Sequence, residues 1–215
     1  MRGGAGRGGR FRSPMRAVAG WLAALVAGSA PAQAATDCWR IDPQDSEVRF
    51  HLVALGAIHL HGRFERLTGR AWRSPGSGLI EVQVEVEAGS LTMASARYQS
   101  WARSPEFFDV QRHPRVLFRS DPLPLALFAA GGALSGRLTV RGIERAVAFD
   151  LRAPGCSDPD RPCRLQVEGE IRRGEFGMRS RRITLSDRVA LDQDLAVLPD
   201  PGGCAPPDGP PPGGD

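Results

Sequence analysis

The stretch Glu81-Val82-Gln83-Val84-Glu85-Val86-Glu87 alternates valine with a polar residue over seven positions. Successive side chains of a β-strand point to opposite faces, so Val82, Val84 and Val86 share one face and the acids share the other. The segment reads as a strand with one face buried. The same period recurs on both sides of it. Val48, Phe50 and Leu52 fall on one face of an early strand, and Ile58, Leu60, Gly62 and Phe64 on one face of the next. Further along, Leu134, Gly136, Leu138 and Val140 point inward, as do Val147, Phe149 and Leu151. Leu165, Val167, Gly169 and Ile171 follow, and Val189, Leu191, Leu195 and Val197 close the series. Turn residues separate these runs at Leu55-Gly56, Ser74-Pro75-Gly76, Gly131-Gly132 and Arg141-Gly142. So many short strands specify an all-β antiparallel barrel or sandwich. Apolar residues confined to one face favour a closed barrel with an apolar interior. About eight strands would leave room either for packed side chains or for one small ligand. Strands of roughly 7 to 9 residues would make a tunnel of about 23–30 Å.

The chain begins with a segment of a different kind. Residues 1–34 carry five arginines and no acid, then the apolar run Ala17 to Ala30, then Ala32-Gln33-Ala34. This is the pattern of a secretory signal peptide, and the run falls short of the ~20 residues of a membrane span. Met15 is an alternative start, since Met15 to Ala34 holds a complete signal. No arginine pair marks the leader for twin-arginine export, and no apolar lipobox precedes Cys38. Removing the leader leaves 23 of the 28 basic residues against 24 acids, a net charge of −1. The basic character of the whole chain therefore belongs mainly to the leader, and nucleic-acid binding loses its support. The expected organisation is a signal peptide at 1–34, a barrel at 35–198 and a disordered Pro/Gly-rich tail at 199–215.

The export signal implies an oxidising compartment, where an even number of cysteines is expected to pair. Cys156 and Cys163 flank a polar, proline-rich loop between two strands, where a bridge would staple a hairpin. Cys38 and Cys204 stand at the two ends of the exported chain and would pair if the termini are neighbours. The one good helix candidate is Met93 to Arg103, with Tyr98 and Trp101 on one side of it. It would cap one end of a barrel.

Three signatures stand in a fixed order: Gly62-Arg63-Phe64-Glu65-Arg66-Leu67-Thr68-Gly69, the segment SPEFFDVQRHPRVLFRS at 104–120, and Ser135 to Arg145, which reads SGRLTVRGIER. Together they resemble the YceI-like family of periplasmic, lipocalin-like proteins that bind polyisoprenoid lipids, over roughly Trp39 to Val197. The resemblance implies a lipocalin-like barrel and a carrier rather than an enzyme. It implies no cofactor, but a bound polyisoprenoid lipid or isoprenoid quinone as cargo. An inner-membrane protein partner and a homodimer are both compatible with it. The capping helix departs from the family in carrying Tyr98-Gln99 where an acidic-basic pair is expected, and Ala54 replaces a common histidine.

The candidate lipid-binding surface is Phe50, Leu60, Phe64, Val84, Phe107, Phe108, Phe118, Leu138, Val140, Phe149, Val167 and Phe176. Taken singly, each is more simply read as core; the resemblance turns the group into a tunnel lining. Arg97, Arg103 and Arg141 lie in the helix and turn segments and are candidates for a phosphate or quinone head group, since guanidinium forks match phosphate geometry. A five-residue turn over Val53 to Ala57 would set Leu52 opposite Ile58 and His51 opposite His59, with His61 on the same outer face. Imidazoles so placed are a metal possibility, but solvated strand histidines are the favoured reading and no metal is assigned. No nucleophile elbow, phosphate loop or zinc-hydrolase motif is present. The alternative to a carrier is a stress-response or electron-transfer accessory protein with a packed barrel, docking to a membrane partner.

Overall fold

The computed structural model describes residues 38–202 apart from Pro75, Pro154 and Arg182. The expected leader and Cys204, the partner expected for Cys38, lie outside the described residues. Eleven strands follow one another: β1 (Cys38–Ile41), β2 (Glu47–Ala54), β3 (Ile58–Phe64), β4 (Leu67–Arg73), β5 (Ile80–Glu87), β6 (Leu91–Met93), β7 (Arg115–Ser120), β8 (Gly132–Val140), β9 (Ile143–Leu151), β10 (Cys163–Arg172) and β11 (Arg188–Pro199). Two α-helices interrupt them, α1 (Ala96–Arg103) and α2 (Leu127–Ala130), with short 3-10 turns at Ala88–Ser90 and Arg173–Phe176.

Hydrogen-bonded neighbours run β1-β4-β5-β7-β8-β9-β10-β11, and β11 returns to β1. Every pairing is antiparallel, so eight strands close a barrel. The remaining strands belong to the same wall. β11 is long enough to pair with β2 through Ala190 to Asp194 and with β1 through Val197 to Pro199. β1 and β2 are thus two halves of one interrupted strand, and β3 and β4 are two halves of the next. Ser46 Oγ accepts the Ala196 N–H at 2.9 Å where the first interruption leaves it unpaired. At the second, buried Ser90 accepts the Arg66 N–H and donates to the Glu87 carbonyl. Side chains thereby supply the bonds the broken ladders lack.

The inward faces match the alternation: Ile80, Val82, Val84 and Val86 of β5 are all buried. Some boundaries differ from expectation. Met93 pairs with Gly62 in β6, and its N–H donates to Gln99 Oε1, so the helix starts at Ala96 rather than Met93. Leu55 and Gly56 take left-handed backbone angles, φ 50° and 72°, and reverse the chain within three residues. Val53 and Ala54 therefore stay in the ladder. Ala54 pairs with Ile58, Leu52 with Leu60, and His51 faces His61 instead of His59. The last strand includes Pro199, which pairs with Trp39, so the expected tail boundary falls inside β11.

Cys156 and Cys163 form a disulfide across the β9–β10 connection, with Cα atoms 5.4 Å apart. The Cys156 N–H also donates to the Phe128 carbonyl, tying this loop to α2. Closing so short a loop limits the unfolded chain modestly, by about 2–3 kcal/mol. Replacing both cysteines by serine is expected to lower unfolding stability by that amount in a denaturant titration and to leave the barrel closed.

Candidate functional site

The interior is not filled. Two cavities of about 390 and 340 Å³ lie in series inside the barrel. Each is within the ~300–1,000 Å³ range of ligand sites, whereas close-packed cores hold few voids larger than a water. Both are bounded by Val84, Phe118, Phe149 and Gln193, which form a waist between them. Phe118 and Phe149 meet there with ring centroids 5.4 Å apart.

The first cavity takes in Phe50, Leu60, Phe64, Phe107, Phe108, Leu138 and Val140 from the expected lining. Val167 borders only the second, toward α2 and the Cys156–Cys163 loop. Phe176 borders neither: it is fully buried in the core, between the end of β10 and the loop that follows. Its aromatic character is read correctly from the sequence, but a side chain with no exposed surface has nothing to offer a ligand.

Glycines opposite two of the phenylalanines explain why space remains. Phe50 lies across from Gly62 on the next strand, and a Cβ at Gly62 would overlap the Phe50 ring. A Cβ at Gly169 would likewise overlap the Phe149 ring. Each ring lies down over a bare backbone, an arrangement known to compensate glycine in sheets. The rings thus coat the wall instead of crossing the lumen.

One end of the first cavity is bounded by the β2–β3 turn, by α1 and by the loop at 178–186. Trp101 of α1 carries two guanidinium groups near its ring: Arg97 Cζ at 4.8 Å and Arg181 Cζ at 4.0 Å from the centroid. Tyr98 packs beside it, with centroids 5.8 Å apart. Arg97 and Arg181 both border the cavity. Arg103 and Arg141 do not: Arg103 donates to the Leu91 carbonyl at 2.6 Å, and Arg141 sits in the two-residue β8–β9 turn, donating to the Gly177 carbonyl at 3.3 Å. Their guanidiniums hold backbone in place at positions away from the lining.

Three residues at the site were passed over in the reading of the sequence. Arg181 looks like any loop arginine until Trp101 is brought beneath it. Gln193 is the polar break in the inward series Leu191, Leu195 and Val197, and its position in the period signals that it faces the lumen. Arg173 is buried, with 2% of its surface exposed. It donates to four carbonyls, those of Met178, Ser180, Leu185 and Ser186, at 2.6 to 3.0 Å. One side chain therefore shapes the whole 178–186 loop.

Most of the remaining charge lies on the outer face, with Asp109 a buried exception. Arg66 grips Glu87 with two hydrogen bonds, and these hold the Glu87 carboxyl below the usual carboxylate range. Arg152 acts likewise on Glu168. His51 approaches Asp192 at 3.4 Å on the same outer surface, with His61 alongside. Among the described residues no group of three or more His, Cys, Asp or Glu is placed to hold a metal ion.

A closed antiparallel barrel with an open, hydrocarbon-lined interior defines a carrier-type protein, able to take up a hydrophobic ligand. The YceI-like domain model matches residues 39–197, and the chain belongs to that family. A UPF0312 protein of Pectobacterium atrosepticum is 24% identical over 178 residues, covering 81% of this chain and 88% of the relative. A UPF0312 protein of Pseudomonas aeruginosa is 27% identical, covering 79% and 93%. Among solved structures, BcnA of Burkholderia cenocepacia superposes with a TM-score of 0.61 at 17% identity, over 74% of this chain and 99% of that one. A polyisoprenoid binding domain from Saccharophagus degradans gives 0.58 at 15% identity, over 75% and 98%. These structural likenesses are likenesses of fold.

Two outcomes follow from this geometry. Replacing both Gly62 and Gly169 by alanine should tip Phe50 and Phe149 into the lumen and reduce uptake of an apolar fluorescent probe at least tenfold, with the barrel still closed by circular dichroism. Arg173→Met should leave four carbonyls without their donor, one of them buried and three half-buried. It is expected to cost at least the ~1–3 kcal/mol of one unsatisfied buried acceptor and to make the 178–186 loop a site of limited proteolysis.

Proposed function

We propose that this protein is a periplasmic carrier for a long-chain isoprenoid amphiphile, a polyprenyl phosphate or an isoprenoid quinone, held lengthwise in the barrel. The observation that carries the reading is the pair of apolar cavities in series, with Val84, Phe118 and Phe149 lining both. A shift of the Phe118 and Phe149 rings would let an extended chain occupy both cavities, which a globular ligand could not do. Each buried methylene contributes about 0.8 kcal/mol, so affinity needs no specific polar contact along the tail. Arg97 and Arg181, beside Trp101 where the first cavity ends, are the candidates to meet an anionic head group. The Cys156–Cys163 bridge and the leader support an oxidising, exported location. The Saccharophagus neighbour is itself described as polyisoprenoid binding, and the family match makes that class of cargo the natural one to test.

Native mass spectrometry of the protein purified from its host, with extraction of the bound lipid, tests this directly. A stoichiometric prenyl lipid is expected. Val84→Trp and Val140→Trp should each displace it while melting stays close to wild type, because the indole enters space the tail had occupied. A barrel that arrives empty, and in which each tryptophan costs the ~1–3 kcal/mol of overpacking, would refute the carrier.

A further inference from the structure

The rim of the first cavity has a chemistry that cargo binding does not use. Among the described residues, the large hydrophobic side chains left exposed are Leu55, Ile58 and Ile183, at 66%, 45% and 100%. Isolated exposed aliphatics are ordinary, but these three share one end of the molecule. Leu55 and Ile58 flank the β2–β3 turn. The Leu55 N–H donates to the Thr184 carbonyl at 2.7 Å, and the Ser186 N–H to Val53, so the loop bearing Ile183 is laced to that turn. Leu55 also sits at φ 50°, a left-handed conformation that a bulky side chain seldom adopts. A glycine or asparagine would suit the turn better, and neither would expose a leucine. The local cost and the exposed apolar surface coincide at one residue.

The charge around these side chains is one-sided. The segments that border this end of the cavity, 53–61, 93–103 and 178–186, contain no Asp or Glu, and among the described residues Arg97, Arg179 and Arg181 supply its positive charge. That bias stands out in an exported chain whose acids and bases nearly balance. Acids stand at the margins of this end: Glu106 lies 3.9 Å from Arg181, Asp187 directly follows the loop, and Asp192 lies 3.4 Å from His51. Arg103 is partly engaged by the Leu91 carbonyl.

We propose that this rim docks on an anionic phospholipid bilayer, with Leu55, Ile58 and Ile183 entering the interface and the arginines meeting lipid phosphates. Apolar tips ringed by guanidinium groups are the chemistry of interfacial binding, where shallow burial and attraction to anionic lipids add together. A protein partner fits less well, because three protruding side chains fall far short of the ~800 Å² per partner of a stable interface. The inference stands on the rim's own composition and holds whatever the cargo is. Its consequence is that the first cavity would face the membrane, so that a hydrophobic ligand could enter without crossing water.

Co-sedimentation of the purified protein with vesicles of phosphatidylcholine, with and without phosphatidylglycerol, tests the proposal. Binding is expected to the anionic vesicles, at least tenfold weaker to the neutral ones, and to fall as salt screens the charges. Ile58→Thr/Ile183→Ser should cut vesicle binding at least tenfold, with thermal melting and uptake of an apolar probe unchanged. Arg179→Gln/Arg181→Gln should abolish the preference for anionic vesicles. Quenching of Trp101 fluorescence by brominated lipid, lost in Trp101→Phe, would place this end against the bilayer. The proposal is overturned if wild-type protein stays in the supernatant, or if the Ile58/Ile183 variant sediments as well as wild type. It is equally overturned if that variant instead loses a co-purifying protein while neither form binds vesicles.

Discussion

Everything this barrel can do depends on two aromatic rings lying against glycine. Phe50 over Gly62 and Phe149 over Gly169 each place a large ring along the wall of the barrel, in the space a Cβ would take. An eight-stranded barrel is only just wide enough for its own side chains. Whether it is a solid core or a container is then decided by where its largest inward residues point. Here they point sideways. The rings remain buried and still contribute the apolar area that stabilises the fold, yet the lumen is left open on both sides of the Phe118–Phe149 contact.

The open interior puts demands on the rest of the wall. A barrel with less core to hold it relies on backbone closure, and closure here is continuous although two strands are broken. Ser46 and Ser90 each satisfy a backbone group at an interruption. Arg173 performs a similar task at larger scale, where its guanidinium replaces the missing ladder partners of the 178–186 loop with charge-assisted hydrogen bonds. That loop in turn places Arg181 against Trp101 and lines one end of the first cavity. A buried arginine that itself borders the first cavity thus sets the shape of one of its ends.

The separation of chemistries is equally plain. Ion pairs such as Arg66–Glu87 and Arg164–Asp194 occupy the outer face, where solvent screens them and they add little stability. The inner face offers hydrocarbon interrupted by Gln193 at the waist and by Arg97, Arg173, Arg181 and Thr184 toward one end. Binding in such a lumen scales with apolar length rather than with matched polar contacts. Selectivity has to come from the ends and from the waist, the places where polar groups meet the cavity.

The sequence by itself determined the inward and outward faces, the antiparallel barrel, the hairpin disulfide and most of the residues around the cavities. Each of these rests on a short-range property: alternation along one strand, turn residues between strands, two cysteines flanking one loop. Gln193 falls on the same inward beat but was passed over, because a polar residue breaks the apolar series that the alternation was read from. Tertiary structure alone decided the rest, because the deciding contacts join residues distant in sequence. The β2–β3 register depended on the left-handed pair Leu55-Gly56, which moved His51 from His59 to His61. Phe149 and Phe176 look alike in sequence, yet one lines a cavity and the other is sealed in the core. Arg173, Arg181, Arg103 and Arg141 are the same side chain with four different surroundings, and only the fold assigns one of them to the interior and another to the rim. Open space, finally, is a property of no residue: it exists where Phe50 meets Gly62 and Phe149 meets Gly169, and the chain brings those pairs together only when the barrel closes.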